Sequence, residues 1–268
     1  MAGKAGRIRV GIGGWTFEPW RGSFYPERWP QKRELEYAAG KLTSIEVNGT
    51  YYGTIKRDSY LSWYNETPED FVFALKAPRF ATNRRVLAEA APSIEKFFAS
   101  GVLELKEKLG PINWQFMATK KFDPDDFAAF LALLPKEIDG RTIRHAVEVR
   151  HESFGSSDFI ALVREHQVAV IAAGDSEFPQ FADITAPFVY ARIMGTTEGE
   201  EHGYSPAALE LWTERAKSWA AGKVPDGLKT VTSGQPKPGP HDVFLYVISG
   251  YKEKNPLAAT EIIRRLGG

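Results

Sequence analysis

No cysteine occurs anywhere in the 268 residues. That excludes disulfides, thiolate nucleophiles, Cys-ligated zinc and iron–sulfur clusters. Net charge is missing too, because Lys plus Arg total 34 and Asp plus Glu total 34. A bulk electrostatic pull toward nucleic acid or anionic membrane is therefore not expected, and only a local basic patch would attract such partners. No stretch approaches the roughly 18 uninterrupted apolar residues of a membrane span. Met1–Arg9 carries charges but has neither an apolar core nor a small-residue cleavage site. The expected compartment is the cytoplasm. Histidine is scarce, at five residues, which weighs against a multinuclear metal centre built from several inward histidines and carboxylates.

What is present is a regular alternation. Short β-rich runs with Gly or Pro flanks occur at Arg7–Ile12, Thr43–Asn48, Phe71–Lys76, Pro111–Phe116, Arg144–Arg150, Val168–Ala173, Pro187–Met194 and Asp242–Ile248. Helical patterns fill most of the gaps. Asp123-Pro124, Ser205-Pro206 and Asn255-Pro256 each combine an N-cap candidate or a polar residue with Pro at a first turn. The connection from Gly174 to Ala186 is too short for a full crossover helix, so a degenerate one is expected after strand six. Eight strand–helix units imply parallel strands with right-handed crossovers. The fold class is therefore α/β, a (β/α)8 TIM-type barrel, with residues 1–268 forming a single domain. An open dinucleotide-binding sheet is disfavoured. Gly11-Ile12-Gly13 begins like the phosphate fingerprint, but Thr16 stands where its third glycine belongs. The Pro-, Gly- and Lys-rich segment Gly222–His241 falls between the seventh helix and the eighth strand. That position puts it at the N-terminal end of the barrel, away from chemistry.

In such barrels functional side chains gather at the C-terminal strand ends. There this sequence places Glu46 and Asn48, two apart and so on one face, followed by Tyr51 and Tyr52. It adds Lys76, Gln115, the pair Glu148 and Arg150, then His151, Asp175 and Arg192. The first loop supplies Trp15, Trp20, Arg21, Phe24, Tyr25 and Trp29. Each has a structural alternative. Glu148 and Arg150 would alternatively form a buried ion pair closing the barrel, Lys76 would extend outward along its stem, and the tryptophans would serve as core under a long loop. The remaining histidines, His145, His166, His202 and His241, fall at structural positions. A retaining glycosidase of the commonest barrel type needs carboxylates after strands four and seven, where this chain has Gln115 and Arg192. A Lys76 Schiff base is one option, although a lysine beside arginines more often binds an anion.

These residues resemble a known family. Trp15, then Trp20-Arg21-Gly22-Ser23-Phe24-Tyr25-Pro26, then Ile45-Glu46-Val47-Asn48-Gly49-Thr50-Tyr51-Tyr52 are similar to the DUF72 (YecE-like) proteins. So are Lys76-Ala77-Pro78, Gly110-Pro111 with Gln115, and Val147-Glu148-Val149-Arg150-His151. Asp175, Tyr190-Ala191-Arg192 with Gly195, and Tyr204-Ser205 complete the series, in order over about residues 8 to 220. Two departures stand out. The family's Thr-His pair after Lys-x-Pro is replaced by Arg79-Phe80-Ala81-Thr82-Asn83. Its closing Tyr-x-Phe-Asn-Asn is replaced by the run from Phe244 to Tyr251. The resemblance implies a TIM-type barrel with its site at the C-terminal end, and it supplies no reaction.

The leading expectation is an enzyme (hydrolase, lyase or isomerase) acting on a small anionic or sugar-like molecule. Glu46, Glu148 and Asp175 would provide carboxylate acid/base chemistry. Trp20, Tyr25, Asn48, Tyr51, Lys76, Gln115, Arg150 and Arg192 would bind the substrate. No cofactor and no metal are expected, nor a nucleic-acid or membrane partner. The alternatives are an endonuclease-like barrel that processes nucleic acid and a non-catalytic ligand-binding or regulatory barrel. A basic groove beside the mouth would favour the former, and a mouth plugged by Tyr251 and its neighbours the latter.

Overall fold

A computed structural model describes residues 5–233 and 239–267. Eight barrel strands follow the eight β-rich runs. They are β1 (Ile8–Gly13), β2 (Ser44–Val47), β3 (Val72–Lys76), β4 (Leu109–Gln115) and β5 (His145–Glu148), then β6 in two pieces (Ala169–Val170 and Ala172–Gly174), β7 (Phe188–Ile193) and β8 (Asp242–Val247). All pair in parallel, in chain order, and β1 closes on β8 with Ile8 opposite Val243. The expected barrel is borne out.

The sixth strand shows how closure is achieved. Its first piece pairs only with β5 and its second only with β7. At the first piece, the Thr185 hydroxyl accepts from Val170 N at 2.9 Å and donates to Val168 O at 2.7 Å. A side chain thus satisfies backbone groups that a neighbouring strand would otherwise take, as buried amides require. No helix occurs between Gly174 and Phe188, in line with the degenerate connection. One element goes beyond the sequence reading. A hairpin pairs Glu137–Ile138 with Arg141–Thr142 through Asp139-Gly140, and both turn residues have positive φ, 51° and 74°, the conformation an Asp-Gly turn favours.

Two apolar layers hold the structure. The outer one lies between strands and helices, where Trp114, Phe116, Phe127 and Phe130 interlock. The helix Pro124–Ala132 starts on Asp123, whose carboxylate accepts from Asp126 N. The helix Pro206–Ala220 starts on Ser205 in the same way. The inner layer fills the barrel with Val72, Ala74, Ala146, Ile171, Phe188, Tyr190, Phe244 and Tyr246. These alternate along their strands with outward residues, as a period of two demands. The barrel interior is apolar through much of its middle, where Ser44 and Tyr246 pair their hydroxyls, and it is charged at both ends, with Arg9 and Arg144 over Phe244 and near Asp242 at the bottom and an ionic layer at the top. The segment after the helix Pro206–Ala220 is tied to the bottom of the barrel, where Asp183 accepts from Val231 N and from Thr232 N and Oγ1. Residues 234–238 of the Pro/Gly-rich stretch lie outside the described residues. No helix among the described residues is long and apolar enough to cross a membrane.

Candidate functional site

The top layer of the barrel is ionic. Glu46 on β2 and Glu148 on β5 are completely buried, and Arg192 on β7 is 3% exposed. Arg192 places Nη1 2.5 Å from Glu148 Oε2 and Nη2 3.1 Å from Glu46 Oε1. The second carboxylate oxygen of Glu46 accepts from Tyr190 OH and, at 3.4 Å, from Asn113 Nδ2. The same Asn113 amide lies 3.5 Å from Glu148 Oε2. Just above, Arg150 donates through Nε to Glu148 Oε1 at 2.7 Å and through Nη2 to Gln115 Oε1 at 3.1 Å. Its guanidinium stacks 4.2 Å from the centre of the Phe178 ring. Both carboxylates are thus committed to arginines. Burial by itself pushes the Glu148 carboxyl up, but Arg192 and Arg150 more than offset it and hold Glu148 below the usual carboxylate range. Burial likewise works against the charge on Arg192, and Glu148 and Glu46 reverse that, raising its pKa above its ordinary value.

Over this layer opens a cleft of about 810 Å³. Lys76, Gln115, Arg150 and Arg192 form its floor, with Asn48, Tyr51 and Trp15 among its walls. The Lys76 side chain is held over the Tyr51 ring, Nζ 4.4 Å from the centroid. Its backbone is fixed by Thr50 Oγ1, which donates to Lys76 O at 2.6 Å. Lys76 is 8% exposed. Burial, then repulsion from Arg192, bring its pKa down to about 8, against the opposing pull of Glu46 and Glu148. Lys252, from the loop after β8, adds a further cation at the rim.

Of the residues singled out in the sequence, Asn48, Tyr51, Lys76, Gln115, Arg150 and Arg192 meet at this one cleft, and Glu46 and Glu148 lie directly beneath it. Three others are placed elsewhere. Trp20 and Tyr25 are each 1% exposed. Trp20 donates its indole N–H to Lys252 O and Tyr25 its hydroxyl to Trp15 O, which makes them the packing of the first loop rather than its contact surface. They join Phe17, Phe24 and Tyr37 in edge-on aromatic contacts. Trp15, braced against Trp63 at 5.1 Å, is the tryptophan of this loop that reaches the cleft. Asp175 accepts the Trp212 indole N–H at 2.7 Å and does not line the cleft. Tyr251 turns to Glu198 and does not plug the cleft. Asn113 is the interior residue that sequence reading passed over. It shares the inward face with Gln115 by the period of two, which is the signal that finds it.

An α/β barrel of TIM type, carrying a cationic cleft at the C-terminal ends of its strands, is the class that fold and site define. The chain belongs to the family described as "Protein of unknown function DUF72", whose profile matches residues 9–267. Among curated proteins it is similar to the UPF0759 protein YecE of Escherichia coli K12, 30% identical over 123 residues, a match covering 45% of this chain and 42% of that protein. Among solved structures it is similar to a DUF72 family protein from Thermotoga maritima, with a TM-score of 0.73 at 21% identity over 98% of this chain and 100% of that one. It also resembles one from Enterococcus faecalis, with a TM-score of 0.68 at 17% identity over 98% of each chain. A more distant likeness, TM-score 0.54 at 12% identity over 97% of this chain and 99% of that one, is to the crystal structure of SacUVDE. At such identities the structural matches establish the fold.

Proposed function

We propose that this protein is an enzyme acting on a small molecule that carries a carboxylate or phosphate group, bound in the cleft above Arg192. The observation that carries the proposal is the charge balance there. Four cations (Lys76, Arg150, Arg192 and Lys252) face or border the cleft, while Glu46 and Glu148, the carboxylates beneath it, are both occupied by arginines. The two arginines and the two glutamates cancel, so the excess positive charge is that of Lys76 and Lys252, and it calls for an anion such as a carboxylate or phosphate. The glutamates serve this site by holding Arg192 and Arg150 in place. Glu148 stays ionised at neutral pH and, being wholly buried, is a poor proton donor. Acid/base chemistry therefore passes from the carboxylates to Lys76, whose pKa of about 8 lets it take and give a proton near neutrality. Calorimetric titration with phosphate, sulfate, a phosphorylated triose and a set of hydroxy- and oxoacids tests this. Binding of at least one of them, lost in Arg150→Leu, supports the proposal, and no binding by any of them contradicts it.

A second reading, nucleic-acid processing, draws on a groove of about 490 Å³ lined by Arg84, Arg85, Lys120 and Lys121, from the loops after β3 and β4. It is weakened by Lys120, which is already neutralised by Asp126 at 2.9 Å. Salt-dependent binding of a short oligonucleotide that disappears when Arg85 and Lys121 are replaced by Ala would establish it.

A further inference from the structure

Among the described residues two lysines are nearly buried, and they are held in opposite ways. Lys108, 4% exposed, donates to Tyr64 O, Thr67 O and Thr67 Oγ1 at 2.6, 2.8 and 3.2 Å. All three of its hydrogens are spent, as a structural ammonium requires. Lys76 takes no hydrogen bond and no carboxylate partner among the described residues. The acids closest in charge to it, Glu46 and Glu148, are saturated by Arg192, Arg150, Tyr190 and Asn113. Its amino group instead rests on the Tyr51 ring and borders the cleft.

We propose that Lys76 is a nucleophilic amine which condenses with the carbonyl carbon of an aldehyde or ketone substrate, the anionic end of that substrate being held by Arg150. The inference rests on the anion site proposed above and adds the substrate's reacting group. An amine must present a lone pair to attack, and burial next to a second cation is the arrangement that frees one. Arg192 supplies that cation from across the barrel and outweighs the pull of either Glu46 or Glu148, neither of which is hydrogen-bonded to the Lys76 amine. In the step itself, the nitrogen lone pair forms the C–N bond. The carbonyl oxygen leaves as water with the two hydrogens of the amine, and an imine remains. No oxidant or reductant is consumed. The peptide that follows Lys76 is held at both its polar atoms, since Thr50 Oγ1 donates to the Lys76 carbonyl and Ala77 N donates to Asn113 O at 2.9 Å.

Reductive trapping tests the proposal on the native chain. The protein is incubated at pH 7 with cyanoborohydride and, separately, glyoxylate, pyruvate or glyceraldehyde 3-phosphate, and the modified lysines are then mapped by peptide mass. At least one probe should add to Lys76 faster than to any other lysine by about tenfold or more, because its free-base fraction is far larger. Excess phosphate should slow that labelling, and Lys76→Met should abolish it. Mapping in the unaltered protein keeps the test decisive if that variant does not fold. Labelling spread evenly over the lysines, or no Lys76 adduct with any probe, overturns the imine step. If anions still bind in that case, the anion site stands alone, and if they do not, both readings fall.

Discussion

Arg192 places Nη2 3.1 Å from Glu46 Oε1, although β1 and β8 lie between the strands that carry them. The contact therefore runs through the barrel interior, and the same guanidinium meets Glu148 on the other side. Removing one partner of such a set leaves charge buried without compensation, whereas the intact set mainly offsets its own desolvation. Glu148→Gln is expected to cost about 3–5 kcal/mol of stability in urea unfolding, since both Arg192 and Arg150 lose a carboxylate. A loss no larger than that of an exposed ion pair, about 1 kcal/mol or less, would contradict the buried network.

Lys76 works in the other direction. Its folded pKa of about 8 lies below its ordinary 10.5, so between those values the unfolded chain binds more protons and stability rises with pH. Below pH 8 the full penalty applies. Lys76→Met should thus be more stable than the parent at pH 7, by an amount on the order of 3 kcal/mol for a shift of this size. The gap should shrink as pH rises from 8 to 10.5. The charged groups that act on Lys76 are Arg192, Arg150, Glu46 and Glu148. Urea midpoints for both proteins from pH 7 to 10 check this, and a gap independent of pH would refute it.

His145 supplies an acid-side prediction. It is buried at the start of β5, with Nδ1 accepting from Trp114 Nε1 at 3.0 Å and Nε2 facing Pro135 O at 2.8 Å. Those bonds suit the neutral ring with its proton on Nε2, and burial brings the pKa down to about 4 despite the Pro135 carbonyl. A folded pKa below the unfolded one means stability is present above pH 6.5 and lost as pH falls toward 4, by roughly 3 kcal/mol from this group. His145→Asn, although less stable at pH 7, should lose less on acidification. An unchanged slope between pH 6.5 and 4 in that variant would show that other groups dominate.

Much of this architecture was legible in the residues. All eight strands were visible as β-rich runs between Gly and Pro, and their C-terminal ends gathered Glu46, Glu148 and Arg192 in one layer. What periodicity does not carry is depth. Glu46 and Glu148 sit one level below the cleft, committed to arginines, and Arg192, the arginine they share, comes from a strand two or three positions away around the barrel. Trp20 and Tyr25 looked like contact residues because aromatic side chains pack and bind with the same chemistry, and only the bonds to Lys252 O and Trp15 O decide between the two. The broken sixth strand depends on Thr185, a residue from the following loop, and nothing local to Val168–Ala173 reveals it. The hairpin at Asp139-Gly140, by contrast, carried an explicit turn signal in its own two residues.

The cleft above Arg192 is proposed to bind an anion. The most direct test of this is the melting temperature of the parent protein and of Arg150→Leu, each with and without the tightest-binding anion of the calorimetric panel. At a hundredfold excess over the dissociation constant the parent should gain about 2.7 kcal/mol of stability, seen as a rise of a few degrees. Arg150→Leu should remain folded and show no rise. A rise of equal size in both proteins, or none in the parent, would contradict the account.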